Sequence, residues 1–456
     1  MASLSAITPA GNHPLAKARF CCGGGWAAAE GRVQQGAQIS GLNSRLLASR
    51  GGNIPNSSKN SGMCPSSIFH RASLRHTLLT LTWVLAAMGC GATQAATWLV
   101  GPKPPAMGLR EALTLAGDGD TVALLEGQYE GHNGVITQKR LVLRGIGKRP
   151  VLRAAGKQAE GKAIVVVRGG SVLIENLEFR GVRAPDGNGA GVRLESGKLH
   201  VKDCAFFDNE NGLLTSNAED AELQIQDSAF GEAPHIVGGL PHLLYVGRIA
   251  ALTITGSRFH EGFEGHLIKS RAKVSVIAYN MIHDGWAGQA SYQIDLPNGG
   301  MAYVVGNVIG QGPAAQNHTL IAFGAESRAW PQSGLFLSHN TLMSPGLIPG
   351  RFLRVFEDRL PPDTPVHAIN NVTAGLGLFS LGTRGNFEGN VQTLGRWLRG
   401  PSVMDYALPV DSRWRDSGID PRSYQGMDLS PKAEFTLPIG TKPLPPRSRW
   451  TPGAFQ

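Results

Sequence analysis

Eight short segments of this 456-residue chain align with one another, and that internal repeat constrains its fold more than any other feature. The segments Ile174 to Phe179, Val201 to Phe206, Ile225 to Phe230 and Ile254 to Phe259 share an apolar first place and an aromatic last place. Ile277 to Ile282, Val304 to Ile309 and Leu337 to Leu342 continue the series, and a weaker member ends at Asn370-Asn371-Val372. The fourth place reads Leu177, Cys204, Ser228, Ser257, Asn280, Asn307, Asn340, Asn371, at intervals of 23 to 33 residues. A buried amide without a partner costs about 1–3 kcal/mol, so a column of Asn in register is stable only when its members stack. Asn also tolerates the left-handed conformation of sharp turns, and the ladder is expected at such a turn.

Each interval carries a second apolar run, as at Ile164 to Val167, Leu243 to Val246, Leu267-Ile268 and Leu320-Ile321. These runs are too short for helices and are separated by Gly and Asn, so they read as strands. Several short strands per repeat predict an all-β solenoid: a single-stranded right-handed parallel β-helix, with coils roughly 4.8 Å apart. The 60 Gly residues and the low charged fraction of 17% suit such a turn-rich chain. Leu109, Ala112, Leu113 and Ala116 have helical spacing, which predicts a short N-terminal capping helix over the open end. The solenoid is expected over residues 96–400, with an irregular Pro- and Arg-rich tail, 401–456, packed along it.

The formal charge of +9 misleads, because residues 1–95 contribute +7 of it and the remainder only +2. No nucleic-acid surface is therefore expected. Arg71 and Arg75 precede the apolar stretch Thr77 to Met88 and then small residues up to Ala95. That layout predicts a signal peptide over 63–95, cleaved near Ala95, and too short for an integral membrane span. Cys90 follows a sequence loosely like a lipoprotein box. Residues 1–62 are read as a disordered extension or a start placed too early, with Met63 as the true start. Export to the periplasm or the exterior, and action as a monomer, are the corresponding expectations. Of five cysteines only Cys204 lies beyond this leader, so no disulfide is expected in the body.

The run from Leu109 through Gly119-Asp120-Thr121 to Tyr129 resembles the opening of pectate-lyase-like right-handed β-helix proteins. That superfamily includes lyases, hydrolases, epimerases and adhesins, so the resemblance implies a fold rather than a reaction. Candidate chemistry lies on one outward column. If Leu244, Ile268 and Ile294 point inward, alternation turns Tyr245, Lys269 and Asp295 outward, with Arg271 and Gln293 at the same parity. Glu326 and Arg354 extend the column, while His242 and His266 fall on the inward parity of the strands. A Lys beside an Arg suits β-elimination from a uronate, in which a carboxylate is neutralised and the adjacent proton removed. Lys269, Arg271, Tyr292 and Asp295 are the candidate catalytic residues, and Tyr245, Arg248, His266, Gln293 and Arg354 the candidate substrate contacts.

The segment Glu264 to Ile282 resembles the Lys-Ser region of chondroitinase B and the alginate lyases of polysaccharide lyase family six. The resemblance implies that Lys269 is the base and that calcium is a possible cofactor, with Glu261, Glu264 and Asp295 as candidate ligands. That family places an Arg-His-Gly acid motif on the next coil, where this chain has Ile294-Asp-Leu-Pro-Asn-Gly-Gly300. Tyr292 or Tyr245 is then the candidate acid. The expected partner is an acidic polysaccharide. A β-helix hydrolase or epimerase, and a non-catalytic glycan-binding scaffold, remain the alternatives; Asp295 with Glu326 or Glu264 is the carboxylate pair a hydrolase would use.

Overall fold

The computed structural model describes residues 95–456, apart from 237 and 345–348. The expected signal peptide, the 1–62 extension and Cys90 lie outside the described residues. Three parallel sheets of 12, 10 and 11 strands run along the chain, each internal strand pairing with its equivalents in the preceding and following coils. The arrangement is a right-handed parallel β-helix. The helix Leu109–Leu115 buries Leu109, Ala112 and Leu113 at the N-terminal end. Among the described residues no helix is long and apolar enough to cross a membrane.

Two stacks hold the coils in register. Phe179, Phe206, Phe230 and Phe259 lie ring on ring at centroid separations of 5.2, 4.5 and 4.7 Å, buried in the 11-stranded sheet. Beside them runs the polar ladder. The backbone N–H of Asn280 and one hydrogen of its Nδ2 both donate to Asn307 Oδ1, at 2.9 and 3.0 Å. Asn307 does the same to Asn340, Asn340 to Asn371, and Asn371 to Asn390. The second Nδ2 hydrogen of Asn280 goes to the Ile254 carbonyl at 3.0 Å, and that of Asn307 to Ile277 at 2.8 Å. The amides are thus satisfied at 0% exposure of Asn280, Asn307, Asn340 and Asn371. Ser257, Ser228 and Cys204 carry the line toward the N-terminus.

The left-handed turn residue is not the ladder residue itself but the one before it. Asn176, Asp203, Asp227, Gly256, Tyr279, Gly306, His339, Asn370 and Gly389 have φ between 48° and 66°. Tyr279 and His339 adopt that unfavourable conformation with side chains tied down. The Tyr279 hydroxyl accepts from the Lys432 N–H at 2.9 Å, and His339 bonds Ser338 and Asn370.

The last solenoid strands are Gly377–Leu378, Asn386–Glu388 and Val391–Thr393. Beyond them the tail forms two small antiparallel hairpins and packs Tyr406, Leu408, Phe435 and Ala454 against Met281, Val308, Met343 and Val372.

Candidate functional site

The ten-stranded sheet carries the outward column. In register it reads Val135, Val166, Arg193, Leu214, Tyr245, Lys269, Asp295, Ala322, Arg354. The first half is mostly apolar, and Tyr245 packs against the cluster containing Val166 and Leu214. Beyond the single Arg193, polarity resumes at Tyr245, whose ring meets cations: the Arg271 guanidinium lies 5.1 Å from its centroid and Lys269 Nζ 5.9 Å.

Four charges meet there. Lys269 Nζ is 3.4 Å from Asp295 Oδ2 and 3.6 Å from Glu326 Oε1. Arg271 grips Glu326 with two bonds, Nη2 to Oε1 at 2.7 Å and Nε to Oε2 at 2.9 Å. Asn298 Nδ2 reaches Glu326 Oε2 at 3.4 Å. Asp295 is not the exposed member of a surface pair that its parity suggests, being only 3% exposed. Burial pushes its carboxyl up to about 6, against the opposing pull of Lys269. Burial also works against the charge on Glu326, but the Arg271 bonds outweigh it and hold Glu326 below the usual carboxylate range.

His266 approaches from the strand's leading end, its Nε2 3.4 Å from Asp295 Oδ2. Its Nδ1 accepts the Tyr292 N–H at 3.2 Å, so in the neutral ring the proton sits on Nε2. Burial lowers the ring's proton affinity to about 3, keeping it neutral. His242, His266 and Tyr292 stack at 5.0 Å intervals along the edge of the column. The inward parity assigned to His266 is therefore wrong: its ring lies beside the outward column, over Asp295.

Gln293 also departs from its expected place. It is 0% exposed, and among the described residues neither of its amide atoms has a partner. Strict alternation fails here because the chain turns a corner. The N–H groups of both Leu267 and Ile268 donate to the following coil, at 3.1 Å each, and both side chains enter the core. Gln293 stands at the corner place that Leu267 and Leu320 fill in the neighbouring coils, so it cannot present its amide to a polymer on the surface.

Arg248 lies on the far side of a loop spanning 324–333. Its guanidinium stacks 3.7 Å from the Trp330 ring and pairs with Glu219 at 3.0 Å. Trp330 in turn donates Nε1–H to the Arg271 carbonyl at 3.0 Å. Arg248 therefore fastens the loop rather than lining the column. Arg354 is exposed, separated from Asp295 by Ala322, with its guanidinium over Phe356 at 4.2 Å. Trp330 and Asn298 were not identified from sequence. The interval of 33 residues between Asn307 and Asn340 signals an insertion there, and such loops commonly carry binding residues.

Calcium does not fit the donors expected for it. Among the described residues no three His, Cys, Asp or Glu side chains converge. Glu261 faces His260 at 3.5 Å, and Asp295 is committed to Lys269 and His266.

With this geometry in view, the comparison with solved structures is informative. The crystal structure of pectate lyase Pel9A superposes with a TM-score of 0.53 at 13% identity, covering 76% of this chain and 98% of that one. The fold is a pectate-lyase-like parallel β-helix. No family profile matches the chain, and no curated protein does.

Proposed function

We propose that the chain is an exported polysaccharide lyase. It binds a uronate-containing polymer along the ten-stranded sheet and cleaves it by β-elimination at the Lys269–Arg271 cluster. One observation carries this reading: Arg271 already holds a carboxylate, that of Glu326, with two bonds, and the Lys269 ammonium lies 3.6 Å from the same oxygen. A uronate carboxylate seated there would be neutralised by Arg271, with its adjacent carbon beside Lys269.

In the reaction, Lys269 as free amine takes the proton from the carbon next to the carboxylate. The electron pair forms the ring double bond, and the bond to the glycosidic oxygen breaks. Tyr245, which pairs in register with Lys269, supplies the proton to that oxygen. It is better placed than Tyr292, which stacks on His266 at the column's edge. Asp295, whose proton affinity is raised by burial, is the nearest acceptor for the proton that Lys269 must first shed. The pectate lyase likeness supports the fold half of the reading, and the resemblance to family six supports the choice of Lys269.

The test is to incubate the purified chain with alginate, chondroitin, hyaluronan and pectate. Unsaturated, ultraviolet-absorbing products are expected from one of them. Lys269→Ala should lower turnover by about 10²–10⁴-fold with folding intact, and unchanged turnover would remove Lys269 as the base.

A second reading has its own support. Asp295 and Glu326 are carboxyls pushed apart in proton affinity, the pattern of an acid and an ionised partner in a glycoside hydrolase. New reducing ends without ultraviolet absorbance would select it.

A further inference from the structure

We propose that Glu326 is a built-in competitor for the anion seat, so that a sugar enters only when Glu326 and the 324–333 loop withdraw. The inference rests on the lyase reading, since it concerns the same site.

Three observations carry it. First, the cluster is charge-balanced as it stands: Lys269 and Arg271 face Asp295 and Glu326. Withdrawal of Glu326 leaves one cation uncompensated, and an incoming carboxylate restores the balance one for one. A neutral sugar offers no such exchange and leaves Arg271 unpaired, at a side-chain exposure of only 16%. Discrimination then arises from the cost imposed on the wrong ligand.

Second, the two carboxylates are held differently. Asp295 belongs to a strand paired on both sides and is 3% exposed. Glu326 belongs to a loop, and its side chain is 37% exposed. Glu326 is therefore the removable partner.

Third, the loop is fastened by discrete ties that can open together. The N–H groups of Glu326 and Trp330 donate to the carbonyls of Pro297 and Asn298 at 2.8 and 3.0 Å. Trp330 Nε1 bonds the Arg271 carbonyl, and Arg248 clamps the outer face of the indole while donating to the Arg328 carbonyl. Trp330 thus ties the loop to Arg271, the residue whose guanidinium Glu326 holds. A site populated mainly in its closed form binds more weakly by the fraction that is open, so loosening the latch raises affinity.

The experiment compares the full chain with Glu326→Gln and Trp330→Phe. Each is titrated with oligogalacturonate, alginate and chondroitin tetramers, and with maltotetraose as the neutral control; melting curves check folding. Glu326→Gln should bind the preferred acidic tetramer at least about tenfold more tightly, with binding of maltotetraose unchanged. Trp330→Phe should move in the same direction through a smaller range. Equal or weaker acidic binding by Glu326→Gln overturns the proposal. Lost turnover at unchanged affinity also overturns it, and makes Glu326 a catalytic carboxylate. No acidic binding by any of the three proteins overturns both this proposal and the lyase reading. Tighter binding without unsaturated products leaves the latch standing and removes the lyase reading alone.

Discussion

Asp295 and Glu326 touch the same ammonium, yet their carboxyls shift in opposite directions, because one is buried with a single cation and the other has a guanidinium fork of its own. If Asp295 must be ionised to receive the Lys269 proton, kcat/KM should fall as the pH drops through about 6, the value to which burial raises it. Asp295→Asn should remove most of the turnover while the melting point holds, and a pH–rate profile checks both. Gln293 invites the opposite experiment. An unpartnered buried amide costs about 1–3 kcal/mol, and Leu occupies the equivalent place in both neighbouring coils. Gln293→Leu should raise stability by about that amount in urea unfolding; a loss of stability would mean that the amide has a partner. Both the success and the failure of the sequence reading at this site trace to one piece of geometry. Period-two alternation put Tyr245, Lys269 and Asp295 in one column, because those residues lie within straight strands, although Asp295 is buried there. It misplaced Gln293, which stands at the corner, and His266, which precedes it, because parity resets there.

The ladder shows the same division at the scale of elements. Four Asn in register were legible because each repeats one local task, and Asn390 completes the set as a fifth. It was missed because the shortened coil before it places it only 19 residues after Asn371, outside the spacing of the rest. Each internal rung satisfies groups on both sides, so Asn307→Ala strands the Asn280 N–H and one of its Nδ2 hydrogens, and leaves the Asn340 oxygen with only the backbone N–H of residue 307 as donor from that rung. A cost of about 3 kcal/mol or more is expected. Asn390→Ala, at the partly buried end of the ladder, should cost about 1 kcal/mol. Paired urea midpoints test the contrast, and equal losses would mean that the rungs do not support one another. The 324–333 loop lay beyond such reasoning. Its place depends on Arg248 stacking on Trp330 and reaching the Arg328 carbonyl, 80 positions along the chain, and no periodicity records that meeting.

For the molecule as a whole, stacking coils bury histidines that an unfolded chain would expose, and this sets how stability responds to acid. Burial lowers the proton affinity of His266 and His339 to about 3 and of His283 to about 4, and pushes His242 well below its ordinary value. In the unfolded chain these groups protonate near 6.5, so between there and about 4 the unfolded state binds protons that the folded state refuses. Stability attributable to them is full above 6.5 and is lost as the pH falls. Asp284 and Asp295 act in the opposite sense. Burial raises both to about 6, so the folded state takes up their protons before the unfolded state does, and acid favours folding through them. At pH 5 four histidines are set against two aspartates, and the unfolded state therefore holds more protons. By linkage, stability rises with pH across this range. The melting temperature should thus decline steadily from pH 7 to pH 4.5, and His339→Gln, which removes one refusing site at the ladder turn, should flatten the decline. A melting temperature constant over that interval would mean that these histidines reach solvent and that the coils are less tightly closed than their burial indicates.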